Sequence, residues 1–226
     1  MRGIPTSVED SQRWRLGRAI CAVVGEDWTG SNPPVHNWNK CYLVFFAGGS
    51  DPKSAIGGSD TLIVSLNTIT GGLQVKYING SIHKGANMTP TRAAHIGLLR
   101  GLRTCQRHER GPVHVVGDNA VVIRQYATRT PPGAKSISGS YWKNRRMADA
   151  IGVRSWTSQP REYNRTSHKL AQVARTTGAD AEWAEHQGPA LGQKWAAITN
   201  NAPRDTAEWR QQHRAQDSSD SDMPTV

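Results

Sequence analysis

The chain has 226 residues, 36% of them hydrophobic, and a formal net charge of +10; that length holds one good-sized core with appendages, and the mixture of strand-like and helical segments predicts a single α/β domain. No apolar run reaches membrane-spanning length and the first residues lack a signal-peptide core, so the expectation is a soluble, intracellular protein of cytoplasm or nucleus with no membrane partner. Three cysteines, Cys21, Cys41 and Cys105, lack the number and spacing of a disulfide framework or zinc site and read as buried small hydrophobes.

Residues 1–39 carry a short helical pattern from Trp14 to Val24 and then lapse into GEDWTGSNPPVHNWN, whose Gly, Pro and Asn mark a connector, so this stretch is expected to be an N-terminal arm. From Cys41 the runs CYLVFFAGG, TLIVSLN and LQVKYINGSIHK are β-rich and separated by Gly-containing turns, which predicts an antiparallel meander of three strands. TPTRAAHIGLLRGLRTC places Ala93, Ile96, Leu98, Leu99, Leu102 and Cys105 along one stripe, with Arg92, Arg100, Arg103 and Arg107 largely elsewhere, as an amphipathic helix requires.

VHVVGDNAVVIRQY then supplies a fourth strand that stops at Gly117 and delivers Asp118 to the head of a helix. A carboxylate there has two readings: ligands and metals collect outside the carboxyl ends of strands, and Asp, like Asn119, is a preferred helix N-cap; the stretch alone favours the cap. Pro131 and Pro132 force a loop, SGSYWKNRRMADAI predicts a further helix, GVRSWTSQPREY a fifth strand, and NRTSHKLAQVARTTG a closing helix with Asn164 as cap and Gly178 as stop. The domain is thus expected over residues 40–178 in the order β-β-β-α-β-α-α-β-α. Residues 179–226 form a C-terminal extension with Trp183, Trp195 and Trp209, a helix near Asp205 to Arg214, and the acidic end QDSSDSDMPTV, whose composition is that of disordered chain.

The positive charge is concentrated. Residues 41–178 hold 19 Lys and Arg against 6 Asp and Glu, whereas residues 179–226 hold 4 against 8. A domain with such an excess attracts polyanions through counterion release, so nucleic acid is the leading partner class, ahead of a merely solubilising surface.

The order of elements, with four local signatures, resembles the type 1 ribonuclease H domain, in particular the retroelement-encoded kind associated with reverse transcriptases. YLVFFAGGS is similar to the first strand and turn, where the family has Asp-Gly-Gly-Ser. MTPTRAAHIGLLRGL is similar to the first long helix, where the family has Thr-Asn-Asn, one residue, Ala-Glu and an apolar stripe. VHVVGDNAVVIRQY is similar to the fourth strand with its Gly-Asp-Ser, and QPREYNRTSHKLAQVA to the last strand and helix, where the family has Asn followed by Ala-Asp and Leu-Ala. The likeness covers roughly residues 41–175 in one collinear pass. It implies a five-stranded mixed sheet, three antiparallel strands then two parallel ones, with helices on both faces. It also implies hydrolysis of the RNA strand of an RNA–DNA hybrid by two Mg²⁺ ions held among carboxylates, which such hard cations need to offset their charge.

Carried onto this chain, the first-strand Asp falls on Ala47, the helix Glu on Ala94, the fourth-strand Asp on Asp118 and the last-helix Asp on His168. Alanine offers no ligand, and imidazole suits Mn²⁺ or Zn²⁺ better than Mg²⁺. A register slip toward Asp51, Asp60 or His95 would raise the count, but Gly48-Gly49-Ser50 and Leu170-Ala171 anchor the alignment on both sides. The apolar stripes and turn glycines remain where folding needs them, and carboxylates are missing where only chemistry needs them.

Candidate nucleic-acid contacts are Gly48, Gly49 and Ser50, as a bare backbone or merely a tight turn; Thr89 and Thr91, as phosphate contacts or helix caps; Trp142, Lys143, Arg145 and Arg146, as an aromatic among cations or a solvated helix face; and Arg161 and Arg165 beside the last strand. The leading expectation is a catalytically inactive ribonuclease H-like domain, a pseudoenzyme with no cofactor, that binds an RNA–DNA hybrid, double-stranded RNA or DNA. An active nuclease with an altered Mg²⁺ or Mn²⁺ site on Asp118 and His168 is one alternative. The other is a protein-interaction or assembly module derived from a retroelement polyprotein, with a protein partner on residues 1–39 or 179–226.

Overall fold

Three long runs rich in β-branched and aromatic residues, Lys40–Asp51 (β1), Ile56–Asn67 (β2) and Leu73–Lys84 (β3), pair antiparallel in sequence order. The computed structural model describes residues 39–51, 53, 55–85, 87–188 and 192–221; the helix expected from Trp14 to Val24, with nearly all of the arm, lies outside them. Asn67 turns β2 into β3 by accepting the Ile69 and Thr70 amides on its side-chain oxygen, at 3.0 and 2.9 Å, as an Asx turn does.

Helix α1, Pro90–Arg107, starts where Thr89 accepts the Arg92 amide at 3.1 Å with Pro90 behind it. Strand β4, Val113–Gly117, returns parallel to β1. Helices α2, Ala120–Ala127, and α3, Lys135–Ile151, flank the double-proline loop, and β5, Ser155–Ser158, lies parallel to β4. Helix α4, Arg165–Thr177, follows a short 3₁₀ turn at Arg161–Tyr163 and stops at Gly178, whose φ of +67° suits a residue without Cβ.

The sheet has the three antiparallel and two parallel strands expected, and one strand more, in the order β5-β4-β1-β2-β3-β6. Strand β6, Ala181–Ala184, comes from the stretch assigned to the C-terminal extension and pairs antiparallel with the open edge of β3. Its four residues carry no β-branched side chain, so tertiary contacts hold it. Asp180 accepts the Ile82 amide at 2.8 Å, Glu185 takes Lys76 at 2.6 Å and Arg110 at 3.2 Å, and Trp183 is buried.

Helices cover both faces. Phe46, Val44 and Ile63 pack with Leu98 and Leu102 of α1, Tyr126 of α2 and Tyr141 of α3. Leu43, Phe45, Leu62 and Val64 point the other way, toward Leu170 of α4 and toward Ala202 and Trp209 of α6, Ala202–Ser221, which follows α5, Gln193–Thr199. Residues 202–221 are therefore helical, and the first of these turns supplies part of the second core. Both main helices sit unusually close to the sheet. A Cβ on Gly48 would lie 2.1 Å from the Ala94 nitrogen and one on Gly58 2.2 Å from the Ala171 carbonyl, distances at which backbone would have to move. Among the described residues no helix is long and apolar enough to cross a membrane.

Candidate functional site

The parallel strands β1 and β4 end side by side, Phe46 opposite Gly117, and this places Ala47, Asp118 and the start of α4 at one end of the sheet. The neighbouring residue, Asn119, is the cap of α2: its side-chain oxygen accepts the Val122 amide at 3.1 Å. Asp118 is thereby not the helix cap that the stretch alone suggests. Its carboxylate turns to α4, with Oδ2 2.5 Å from His168 Nε2 and Oδ1 accepting from Asn164 Nδ2 at 3.1 Å. The same Asn164 nitrogen donates to the Phe46 carbonyl at 3.1 Å, tying β1, β4 and α4 together. Burial pushes the Asp118 carboxyl up, but the hydrogen bond and charge of His168, with the Asn164 amide, outweigh it and hold the group below its ordinary value.

Asn164 occupies the N-cap position of α4 without capping it. The cap comes from a distant helix: Asp205 of α6, fully buried, accepts the Thr166 amide on Oδ2 at 3.1 Å. Desolvation raises the Asp205 carboxyl, and the amides of Thr166 and Arg165 and the Thr166 hydroxyl oppose it.

Ala47 and Ala94 are both buried and offer only methyl groups. Directly across the ladder from Ala47 stands Asp60 of β2. No register slip is needed to bring it there; the carboxyl is on the neighbouring strand. It is fully buried, its Oδ1 accepts the Ala47 amide at 2.5 Å, and its Oδ2 lies near the Ser167 hydroxyl outside good hydrogen-bond geometry. Desolvation raises it well above the ordinary carboxylate range, against the pull of Ser167 and Ala47, and the Asp118 charge adds to the rise. A carboxyl whose ionisation is opposed by burial is a poor ligand for a hard cation.

These donors do not fit the metal pair implied by the family resemblance. Metal–ligand bonds of about 2.0–2.2 Å to each ligand need more room than a 2.5 Å gap between the facing atoms of Asp118 and His168. Among the described residues no three His, Cys, Asp or Glu side chains cluster to hold a metal.

The candidate contact residues separate into used and available groups. Gly48 is taken up by the close seat of α1, and Thr89 caps that helix. Arg145 is withdrawn from the expected basic set: it is buried on the inner side of α3, ion-paired with Asp149 and donating to the Tyr126 carbonyl at 2.8 Å. Trp142, 40% exposed with its edge on Tyr141, remains at the surface with Lys143 and Arg146. Arg161 and Arg165 are exposed at the head of α4, the same helix end that carries His168, while Gly49, Ser50 and Thr91 are half-buried. Two participants escape a linear reading. Asp205 and Asn164 act across 39 and 118 residues of chain, and no local pattern announces those distant partners, although Asn164 itself reads as a cap in sequence. Asp60 had a signal, since it alternates with inward-facing Leu62 and Val64.

A family model described as "Reverse transcriptase-like" matches residues 74–174. No curated protein matches significantly. Among solved structures, the N-terminal RNase H domain of a Mycobacterium tuberculosis protein, fused to maltose-binding protein, is 18% identical with a TM-score of 0.52, covering 60% of this chain and 94% of that one. LC11-RNase H1, isolated from compost by a metagenomic approach and solved in complex with an RNA/DNA hybrid, is 15% identical with a TM-score of 0.53, covering 61% and 98%. LC9-RNase H1, described as a type 1 enzyme with the type 2 active-site motif, is 14% identical with a TM-score of 0.50, covering 72% and 84%. At these identities the structural likeness carries the fold, and the family model agrees with it in the segment running from β3 through most of α4. The chain therefore shares the fold of these ribonuclease H structures, and residues 74–174 match the reverse transcriptase-like family model.

Proposed function

We propose that this domain is a retroelement-derived ribonuclease H-like pseudoenzyme that binds nucleic acid, an RNA–DNA hybrid or duplex, through its basic surface and does not cut it. One observation carries the reading: Asp118, the single carboxylate at the four family positions, is hydrogen-bonded to the His168 imidazole while Ala47 and Ala94 supply nothing. Two-metal hydrolysis needs several carboxylate oxygens aimed at open coordination positions, and here the one carboxylate is taken up by hydrogen bonds inside the protein.

The binding half rests on the excess of cations in residues 41–178 and on the exposed Trp142, Lys143, Arg146, Arg161 and Arg165. Lysine and arginine side chains position a sugar–phosphate backbone without reading bases, and the Trp142 ring offers a stacking face beside two of them. LC11-RNase H1 bound to its hybrid supports the choice of ligand. The test is fluorescence anisotropy of a labelled RNA–DNA hybrid titrated with the full chain over a range of NaCl concentrations. A groove contacting several phosphates predicts log K falling with log salt at a slope of about −0.9 per phosphate. Binding no tighter than that of an unrelated protein of the same charge would instead leave the protein-assembly function.

A further inference from the structure

Resting on that reading, we propose that Arg175, on the last turns of α4, is a phosphate contact that grips the nucleic-acid backbone where it passes Gly49. Its guanidinium lies against a bare stretch of sheet: a Cβ on Gly49 would be 3.2 Å from Nη1, and one on Gly58 would be 3.4 Å from the Arg175 Cβ. Gly49 and Gly58 face each other across the β1–β2 ladder, so the arginine stem crosses two residues without side chains and is half-buried there.

Arg175 combines a charge without a carboxylate partner among the described residues, which half-buried Arg92 and Arg210 share, with a seat over two glycines. The two buried arginines, Arg110 and Arg145, each have a carboxylate, Glu185 and Asp149. Arg175 has none within ion-pair distance among the described residues. A guanidinium whose stem is already packed loses less side-chain entropy on binding than Arg161 or Arg165, which are exposed. Its planar fork matches two phosphate oxygens. Seven residues separate Arg175 from His168, two helical turns, so both lie on one face of α4 about 10 Å apart. A strand running past the Asp118–His168 pair thus meets the guanidinium at Gly49, next to the half-buried Ser50.

The experiment compares full-length wild type, Arg175→Ala, Arg175→Lys and a control, Lys40→Ala, in the hybrid anisotropy titration over salt. Lys40 begins β1, and at about 3.3 Å per residue stands roughly 30 Å from Gly49. Arg175→Ala is expected to weaken binding about tenfold and to flatten the salt slope by about one phosphate. Arg175→Lys is expected to keep the slope and lose part of the affinity, with thermal midpoints of both variants near wild type. Steep wild-type binding with Arg175→Ala indistinguishable from Lys40→Ala overturns this contact and leaves the proposed function standing. Wild-type binding without salt dependence overturns both, and so does free inorganic phosphate being bound as tightly as hybrid.

Discussion

Replacing His168 probes whether the imidazole has become the partner that a metal would otherwise be. In His168→Ala the Asp118 carboxylate keeps the Asn164 amide but loses the 2.5 Å contact. Hydrogen bonds to charged groups contribute about 1.5–3 kcal/mol; the pair is partly reached by solvent, at side-chain exposures of 21% and 18%, so about 2 kcal/mol is the expected loss near neutral pH. For a chain of this size that is a fall in Tm of about 4–8 °C. Because Asp118 is held below its ordinary 3.8, its contribution is present above that value and disappears as pH falls through the lower folded value, so the two proteins should converge in acid. His168→Asp adds the converse test. Two carboxylates then face each other, and this variant should be less stable than His168→Ala in EDTA and regain stability in millimolar Mn²⁺. Wild type should respond to neither. Equal urea midpoints for wild type and His168→Ala, or a Mn²⁺-dependent rise in wild-type Tm, would refute the pair as a metal substitute.

Asp60→Asn keeps the acceptor for the Ala47 amide and removes a carboxyl whose ionisation burial opposes. A raised acid binds more protons folded than unfolded, so wild-type stability falls as pH rises above 3.8 until the folded value is reached, by about 1.4 kcal/mol per pH unit. Urea unfolding from pH 4 to 8 should show Asp60→Asn gaining on wild type, and parallel profiles would sink that assignment. Asp205→Ala uncaps α4 and leaves the Thr166 amide without its acceptor, at an expected loss of about 1–3 kcal/mol; hydrogen exchange at residues 165–168 should accelerate, and unchanged protection would contradict it. Gly48→Ala drives a methyl group into the α1 backbone and should destabilise by roughly 2 kcal/mol or more, which chemical denaturation reads directly.

Most of the fold is legible because its signals are local. Alternating β-branched runs separated by Gly-containing turns mark β1 to β3, and the stripe ending at Cys105 marks α1. Strand β6 is hidden because Trp183 is the one strand-favouring residue in AEWA, and the strand forms against the edge of β3. In the candidate site, the resemblance singles out Ala47, Ala94, Asp118 and His168 by collinearity, yet what Asp118 touches is not legible in it. Adjacent Asp118 and Asn119 are equally good caps in sequence, and only the approach of α4 decides between them. Arg145 misleads for a related reason. KNRR reads as a basic surface, but the inward phase of α3 puts one arginine beneath it, neutralised by Asp149 four residues on.

Cleavage of an end-labelled RNA–DNA hybrid decides most directly whether this domain cuts nucleic acid. Incubated with Mg²⁺ or Mn²⁺ under conditions where the hybrid is bound, wild type should leave the RNA strand as intact as Asp118→Asn does. Fragments that accumulate with wild type and vanish with Asp118→Asn would show a working metal site around Asp118 and contradict the pseudoenzyme.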